Sequence, residues 1–156
     1  MSQSTDRDWS LAEIRDRFAI EDLYDRQLAA AEAHDWARYD TTFAADASID
    51  LSDFGEPERR YPAYRVWVAA LSKTMPKALR LTGGLRLKLE DARATTRVPV
   101  LCLVQMAGDT GVEWTQTALF YNDELERTDA GWRIVHRYEE LVYPDESDSE
   151  SPPGRG

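Results

Sequence analysis

A carboxylate at the edge of an apolar helical stripe is the first candidate for chemistry in this chain. Ile20, Leu23, Tyr24, Gln27, Leu28 and Ala31 recur at helical spacing, and Glu32 follows beside them, just ahead of His34-Asp35-Trp36. Four residues make about one helical turn, so Glu32 lies close to the line of Leu28 and Tyr24. A carboxylate there either caps the stripe and reaches water, finds a partner, or enters a cavity where it can work as a general acid or base. On the same stripe Tyr24 offers a hydroxyl, as proton donor or as packing, and Gln27 an amide.

Arg80 is the second ionisable candidate. It stands between Leu79 and Leu81 and faces opposite to both in an alternating strand, so it lies either on the surface or inside. Arginine is no base near neutral pH. Inside a cavity it would hold Glu32 ionised, or bind a developing oxyanion or a substrate carboxylate. Trp114, Gln116, Ala118, Phe120 and Asn122 share one strand face. Trp114 and Gln116 read as the wall of a pocket for a flat, mostly apolar ligand, because a buried amide needs a partner. Val100 belongs to an apolar wall with Thr96, Val98, Cys102 and Val104. Near the end of the chain His136 alternates with Trp132, Ile134 and Tyr138, while Arg137 points the other way. Only one of His136 and Arg137 can line a cavity unless a bulge intervenes.

These residues need elements to position them. Ser10 and Glu13 form the pattern of a capping box, opening a helix that runs to about residue 33 with a break near Arg17-Phe18. Residues 36–42 read as a short helix, 43–52 as a strand and 53–60 as a polar loop. Residues 61–72 form an amphipathic helix with Tyr64, Val68 and Leu71 on one face. The second half alternates instead: residues 79–89 around Gly83-Gly84, then 93–106, 112–127 and 132–142, with turns at 108–111 and 128–131. Helices followed by long hairpin-linked strands predict an α+β domain. The expected form is a cone-shaped barrel, with helices packed in a strongly curved antiparallel sheet and a pocket at its mouth. Residues 1–9 are expected to be a flexible leader, 10–143 a single domain, and 144–156 a disordered acidic tail poor in apolar residues.

Composition narrows the function classes. The 156 residues, 42% of them hydrophobic, suit one domain with a real core. A net charge of −10, from 29 acidic against 19 basic residues, argues against a nucleic-acid or anionic-membrane partner. No apolar run approaches the ~20 residues of a membrane helix. The leader is polar rather than a secretory signal, and the single cysteine, Cys102, permits no internal disulfide. Both fit a cytoplasmic protein, with Cys102 read as a small buried hydrophobe. Two histidines argue against a histidine-rich metal site, and no phosphate loop, dinucleotide loop, zinc cluster or nucleophile elbow appears. No cofactor or metal is expected. A homodimer is, through an open sheet face where Val135 and Thr117 would need cover.

The order of elements, with Ala19-Ile-Glu-Asp-Leu-Tyr24, Asp35-Trp36, Phe43-Ala-Ala-Asp46 and Gly131-Trp132-Arg133-Ile134, resembles the SnoaL-like superfamily with the nuclear-transport-factor-2 cone fold. Within it the chain is similar in pattern to the scytalone dehydratases and the hexachlorocyclohexane dehydrochlorinases, the latter through Tyr121-Asn-Asp-Glu-Leu-Glu-Arg127. The resemblance implies a catalytic carboxylate at Glu32, where those families carry aspartate. Their histidine beside the glycine pair falls on Arg80. A second dehydratase histidine falls on Val100, a dehydratase tyrosine on Leu51, and a dehydrochlorinase arginine on Arg137. The histidine–aspartate dyad is therefore absent.

The expected function is a cofactor-independent enzyme of secondary metabolism that cyclises, dehydrates or isomerises a hydrophobic, polyketide-like intermediate. Glu32 would be the acid or base and Arg80 its electrostatic partner, both pointing into the cone. Tyr24, Gln27, Val100, Trp114, Gln116, His136 and Arg137 would shape the substrate site. The alternative is a non-catalytic ligand-binding or assembly domain that has lost the dyad. An epoxide hydrolase would need a second inward carboxylate, for which Asp50 is the only weak candidate.

Overall fold

The computed structural model describes residues 7–108 and 111–142. The expected tail, most of the expected leader and the tip of the turn at 108–111 lie outside them. Helix α1 (Leu11–Glu32) opens with the capping box: the Glu13 amide donates to Ser10 Oγ at 3.2 Å, and the Ser10 amide donates to the Glu13 carboxylate at 2.9 Å. It runs unbroken. Neither proline nor glycine interrupts it, and Arg17 is held by an ion pair with Glu21 at 3.0 Å and a bond to the Leu85 carbonyl at 3.2 Å. The expected break near Arg17-Phe18 is thereby corrected. Ile20 and Leu23 are fully buried on its core face, each contributing about 1.5–3 kcal/mol. Helix α2 (Trp36–Asp40) follows a turn in which His34 takes a positive φ of 54°. Helix α3 (Tyr61–Ser72) buries Tyr61 and Tyr64.

Among the described residues seven strands form one curved, open sheet: β1 (Phe43–Asp50), β2 (Arg59–Arg60), β3 (Lys77–Thr82), β4 (Arg86–Glu90), β5 (Arg93–Gly108), β6 (Gly111–Thr128) and β7 (Gly131–Leu141). The order is β2-β1-β7-β6-β5-β3, with β4 also on β5. The sheet is mixed rather than purely antiparallel, because β1 runs parallel to β7. That pairing follows from connectivity, since the whole of α3 and β3–β6 separates the two strands. The pair Gly83-Gly84 divides β3 from β4, and Gly83 donates its amide to the Pro99 carbonyl at 2.8 Å. A side chain at Gly83 would meet the Pro99 ring at 2.6 Å, so only glycine lets β3 approach β5 there.

A departure from regular pairing decides which side chains of β7 face the helices. In β7, His136 pairs with Glu124 and Ile134 with Leu125, so Val135 is an extra, bulged residue. The bulge reverses the alternation. Trp132 and Ile134 point inward before it, and Arg137, 1% exposed, points inward after it. His136 is turned to the other face, where its Nδ1 meets Ser48 Oγ at 2.7 Å. In β3 Leu79 and Leu81 are 45% and 50% exposed, and Arg80 is the inward residue, as expected.

Candidate active site

Between α1, α3 and the concave sheet lies a cavity of about 340 Å³. This lies within the ~300–1,000 Å³ of ordinary small-molecule sites. Its walls are mostly apolar: Leu28 and Ala31 from α1, Trp67, Val68 and Leu71 from α3, and Val104 and Leu119 from the sheet. Leu51 and Phe54, beside a short 3-10 turn (Ser52–Phe54), close one side. Polar groups in the wall include Gln27, Tyr39, Tyr64, Arg80, Tyr121 and Glu139, with Glu56, Thr115, Thr117 and Cys102 also lining it.

Glu139 is one of two carboxylates in the lining; the other, Glu56, is ion-paired with Arg59 at 2.6 Å. Burial pushes the Glu139 pKa up, and the Asp123 charge adds to this, while Arg137, Arg80 and a hydrogen bond from Tyr64 pull it down; the net shift is upward. A carboxyl group that holds its proton more tightly than usual is suited to accept and return a proton. Burial likewise raises Tyr39 and Tyr64, so both stay protonated phenols. Their hydroxyls lie 3.3 Å apart, which extends the Tyr64–Glu139 contact into a short chain of donors.

Glu139 was missing from the expected site because simple alternation from Trp132 and Ile134 sends it to the outer face. The Val135 bulge returns it to the inner one. The available signal was the conflict between Arg137, which the resemblance placed inside, and His136, which alternation placed there.

The expected residues are distributed as follows. Arg80 and Gln27 line the cavity. Glu32 does not. It is exposed, in a neighbouring depression of about 270 Å³ that shares Arg80, Ala31, Val68, Leu71 and Met75 with the cavity wall. Its Oε1 accepts from the Arg80 backbone N–H at 3.0 Å, not from the guanidinium. As the last residue of α1 it has turned off the buried stripe, which corrects the expectation that both side chains point into the cone.

Tyr24 is buried, but its hydroxyl is committed elsewhere, donating to Asp123 Oδ2 at 2.7 Å and lying 2.6 Å from Thr96 Oγ1. Arg137 is committed to the same centre through Nε and Nη2, at 2.8 and 2.7 Å from the two Asp123 oxygens. Its guanidinium lies over Tyr121 at 3.7 Å and Phe43 at 5.3 Å from the ring centroids. Neither Tyr24 nor Arg137 reaches the cavity. Val100 is 3% exposed and packs in the core outside its lining, paired with Thr82 and Leu119.

Trp114 is 62% exposed and Gln116 is exposed, on the outer face of β6. The inner face carries Thr115, Thr117, Leu119, Tyr121 and Asp123 instead. Asp123 makes that face look polar in sequence, and only its pairing with Arg137 lets it be the buried one. Thr117 therefore lines the cavity and needs no covering partner. Asp50 is spent on the Ser52 amide at 2.9 Å. Among the described residues no group of three or more His, Cys, Asp or Glu is placed to hold a metal ion. No helix among them is long and apolar enough to cross a membrane.

Comparison with known proteins agrees with this architecture. An uncharacterized protein of Mycobacterium tuberculosis is 30% identical over 130 residues, covering 83% of this chain and 88% of that one. The Kfla4162 protein from Kribbella flavida superposes with a TM-score of 0.77 at 21% identity, covering 86% of this chain and 95% of its own. Hexachlorocyclohexane dehydrochlorinase LinA-type3 from Novosphingobium barchaimii superposes with a TM-score of 0.73 at 22% identity, covering 92% of this chain and 99% of its own. The SnoaL-like domain family matches residues 12–138. With that match spanning the helices, the sheet and the cavity between them, the chain belongs to the SnoaL-like domain family.

Proposed function

We propose that the chain is a cofactor-independent acid–base enzyme acting on a hydrophobic cyclic or polyketide-like carbonyl compound, which it dehydrates, isomerises or cyclises. The observation that carries this reading is Glu139, a carboxyl group of raised pKa in the wall of a largely apolar cavity with Arg80 beside it. Glu139 takes a proton from the carbon next to the substrate carbonyl, and the electron pair moves onto the carbonyl oxygen. The guanidinium of Arg80 stabilises that enolate oxygen. The proton then returns to a leaving hydroxyl, giving water and an alkene, or to a different carbon, giving an isomer. A ring closes when the enolate carbon attacks a second carbonyl, whose π bond opens to an alkoxide that takes the proton from Glu139. Tyr64 holds the Glu139 carboxylate and passes it hydrogen-bond support from Tyr39. In this reading Glu32 is a positioning residue that fixes the Arg80 backbone, not the base.

The test uses alpha-tetralone, a flat ketone with an exchangeable proton beside its carbonyl, in heavy water. The protein should accelerate exchange at that carbon, followed by proton NMR, and Glu139→Gln should remove the acceleration. If neither this ketone nor a panel of related cyclic ketones exchanges faster with the protein, the non-catalytic ligand-binding alternative leads.

The proposal includes a cytoplasmic homodimer. The outer sheet face leaves Leu79, Leu81 and Trp114 45%, 50% and 62% exposed, an apolar surface that suits a second copy. Light scattering that reports a monomer at micromolar concentration would remove the dimer.

A further inference from the structure

Gln27 occupies an unusual position in the cavity wall. It is 1% exposed, and among the described residues its Oε1 is the one buried side-chain oxygen or nitrogen without a hydrogen-bond partner. The orientation of its amide is fixed by Thr42. The Thr42 hydroxyl donates its single hydrogen to the Tyr39 carbonyl at 2.7 Å. Its oxygen can then only accept, and it accepts from Gln27 Nε2 at 2.9 Å. Flipping the amide would set two acceptors against each other. Gln27 Oε1 is therefore held as an acceptor, and Gln27 lines the cavity.

Its depth is set by α1. Ala31, one turn or ~6 Å further along the helix, borders both the cavity and the outer depression, whereas Gln27 borders only the cavity. An oriented, unpaired acceptor in a wall shared with Leu28, Leu51 and Leu119 is matched by a ligand that carries a donor on an apolar frame.

We infer that Gln27 is a specificity-determining residue: the cavity binds flat apolar molecules that bear a neutral hydrogen-bond donor, a hydroxyl or an N–H, and the donor is seated on Gln27 Oε1. The same atom discriminates against ligands whose matching position is a methyl group, a halogen or a carbonyl oxygen, because these leave the acceptor unpaired or oppose it. The inference concerns binding alone and stands apart from the acid–base chemistry of Glu139.

The probes are beta-naphthol and beta-methylnaphthalene, which differ by a hydroxyl in place of a methyl group. Their dissociation constants are measured on the full chain by titration of intrinsic tryptophan fluorescence. The native protein should prefer the naphthol by about tenfold or more, the scale of one buried hydrogen bond otherwise left unmade. Gln27→Met, which keeps the length of the side chain, should abolish the preference while retaining affinity for beta-methylnaphthalene. Thr42→Val frees the amide to turn its N–H₂ inward, and should also weaken the preference for the naphthol. A crystal structure of the native protein with beta-naphthol should place its oxygen within hydrogen-bond distance of Gln27 Oε1. Equal affinities in the native protein would overturn the inference, as would a preference that persists in Gln27→Met. So would a naphthol oxygen seated on Glu139 or Arg80, and this result can be read even if both variants fail to fold. Loss of ketone exchange with the naphthol preference intact would instead count against the enzymatic reading alone.

Discussion

Strand β7 carries two charged side chains two residues apart on its inner face, and their fates differ. Arg137 is locked. It makes two bonds to Asp123, Tyr24 closes the second oxygen of that carboxylate, Thr96 joins the tyrosine hydroxyl, and two aromatic rings cover the guanidinium. Burial alone would draw the Arg137 pKa down, but the Asp123 charge and hydrogen bonds outweigh it and push it up. Glu139 lies in the cavity wall, and there burial wins over Arg137, Arg80 and Tyr64, so its proton is held more tightly than usual. A polar centre closed by several hydrogen bonds resists change and orders the core, whereas one that lines a cavity can exchange protons with a ligand. Charge and burial by themselves do not separate the two; the cavity does.

Breaking the closed centre should have the largest effect. Asp123→Ala leaves the Arg137 charge buried without its partner and should cost about 3–5 kcal/mol, read by denaturant unfolding. Replacing both residues, as Asp123→Leu with Arg137→Met, should cost much less than the single change. A loss for the single variant of under about 1 kcal/mol would show that the pair is not the lock described here.

The cavity should respond in activity rather than stability. Glu139→Gln should lower turnover of an accepted ketone by ~10²–10⁴ and still fold cooperatively. Undiminished exchange in that variant would remove Glu139 from the chemistry.

A smaller, pH-dependent effect separates the centres further. A carboxyl group with a raised folded pKa binds its proton more tightly when folded, so its contribution to stability is present at low pH and is lost as pH rises through the folded value. The stability of Glu139→Gln relative to the native protein should therefore increase as pH rises from about 4.5 through the raised Glu139 pKa, by at most ~1.4 kcal/mol per pH unit. A difference independent of pH would contradict the upward shift.

The smallest effect is expected at Glu32. Glu32→Ala removes one exposed bond to the Arg80 backbone and should cost ~0.5–1 kcal/mol, and Glu32→Gln should keep turnover within a few-fold. A hundredfold loss in Glu32→Gln would return the catalytic role to that residue.

Local patterns carried much of this architecture. The capping box at Ser10, the apolar stripe from Ile20 to Leu28, the helix Tyr61–Ser72 and the long hairpin strands are all short-range features, in which side-chain periodicity and turn chemistry act within a few residues. The family resemblance placed Arg80, and the helical stripe placed Gln27, among the candidate residues, and both line the cavity. Three things depended on contacts between distant segments. The parallel pairing of β1 with β7 joins the first and last strands. The inward face of β6 was settled by Arg137, which neutralises Asp123 and makes a polar strand face the buried one. The bulge at Val135 turned Arg137 and Glu139 inward and His136 out, because one extra residue in a strand of period two exchanges its faces. Sequence alone thus determined which segments are helix and strand and brought the arginine and the amide into consideration. Tertiary structure decided which carboxylate meets the ligand, since that depends on register, and register is set by the partner strand.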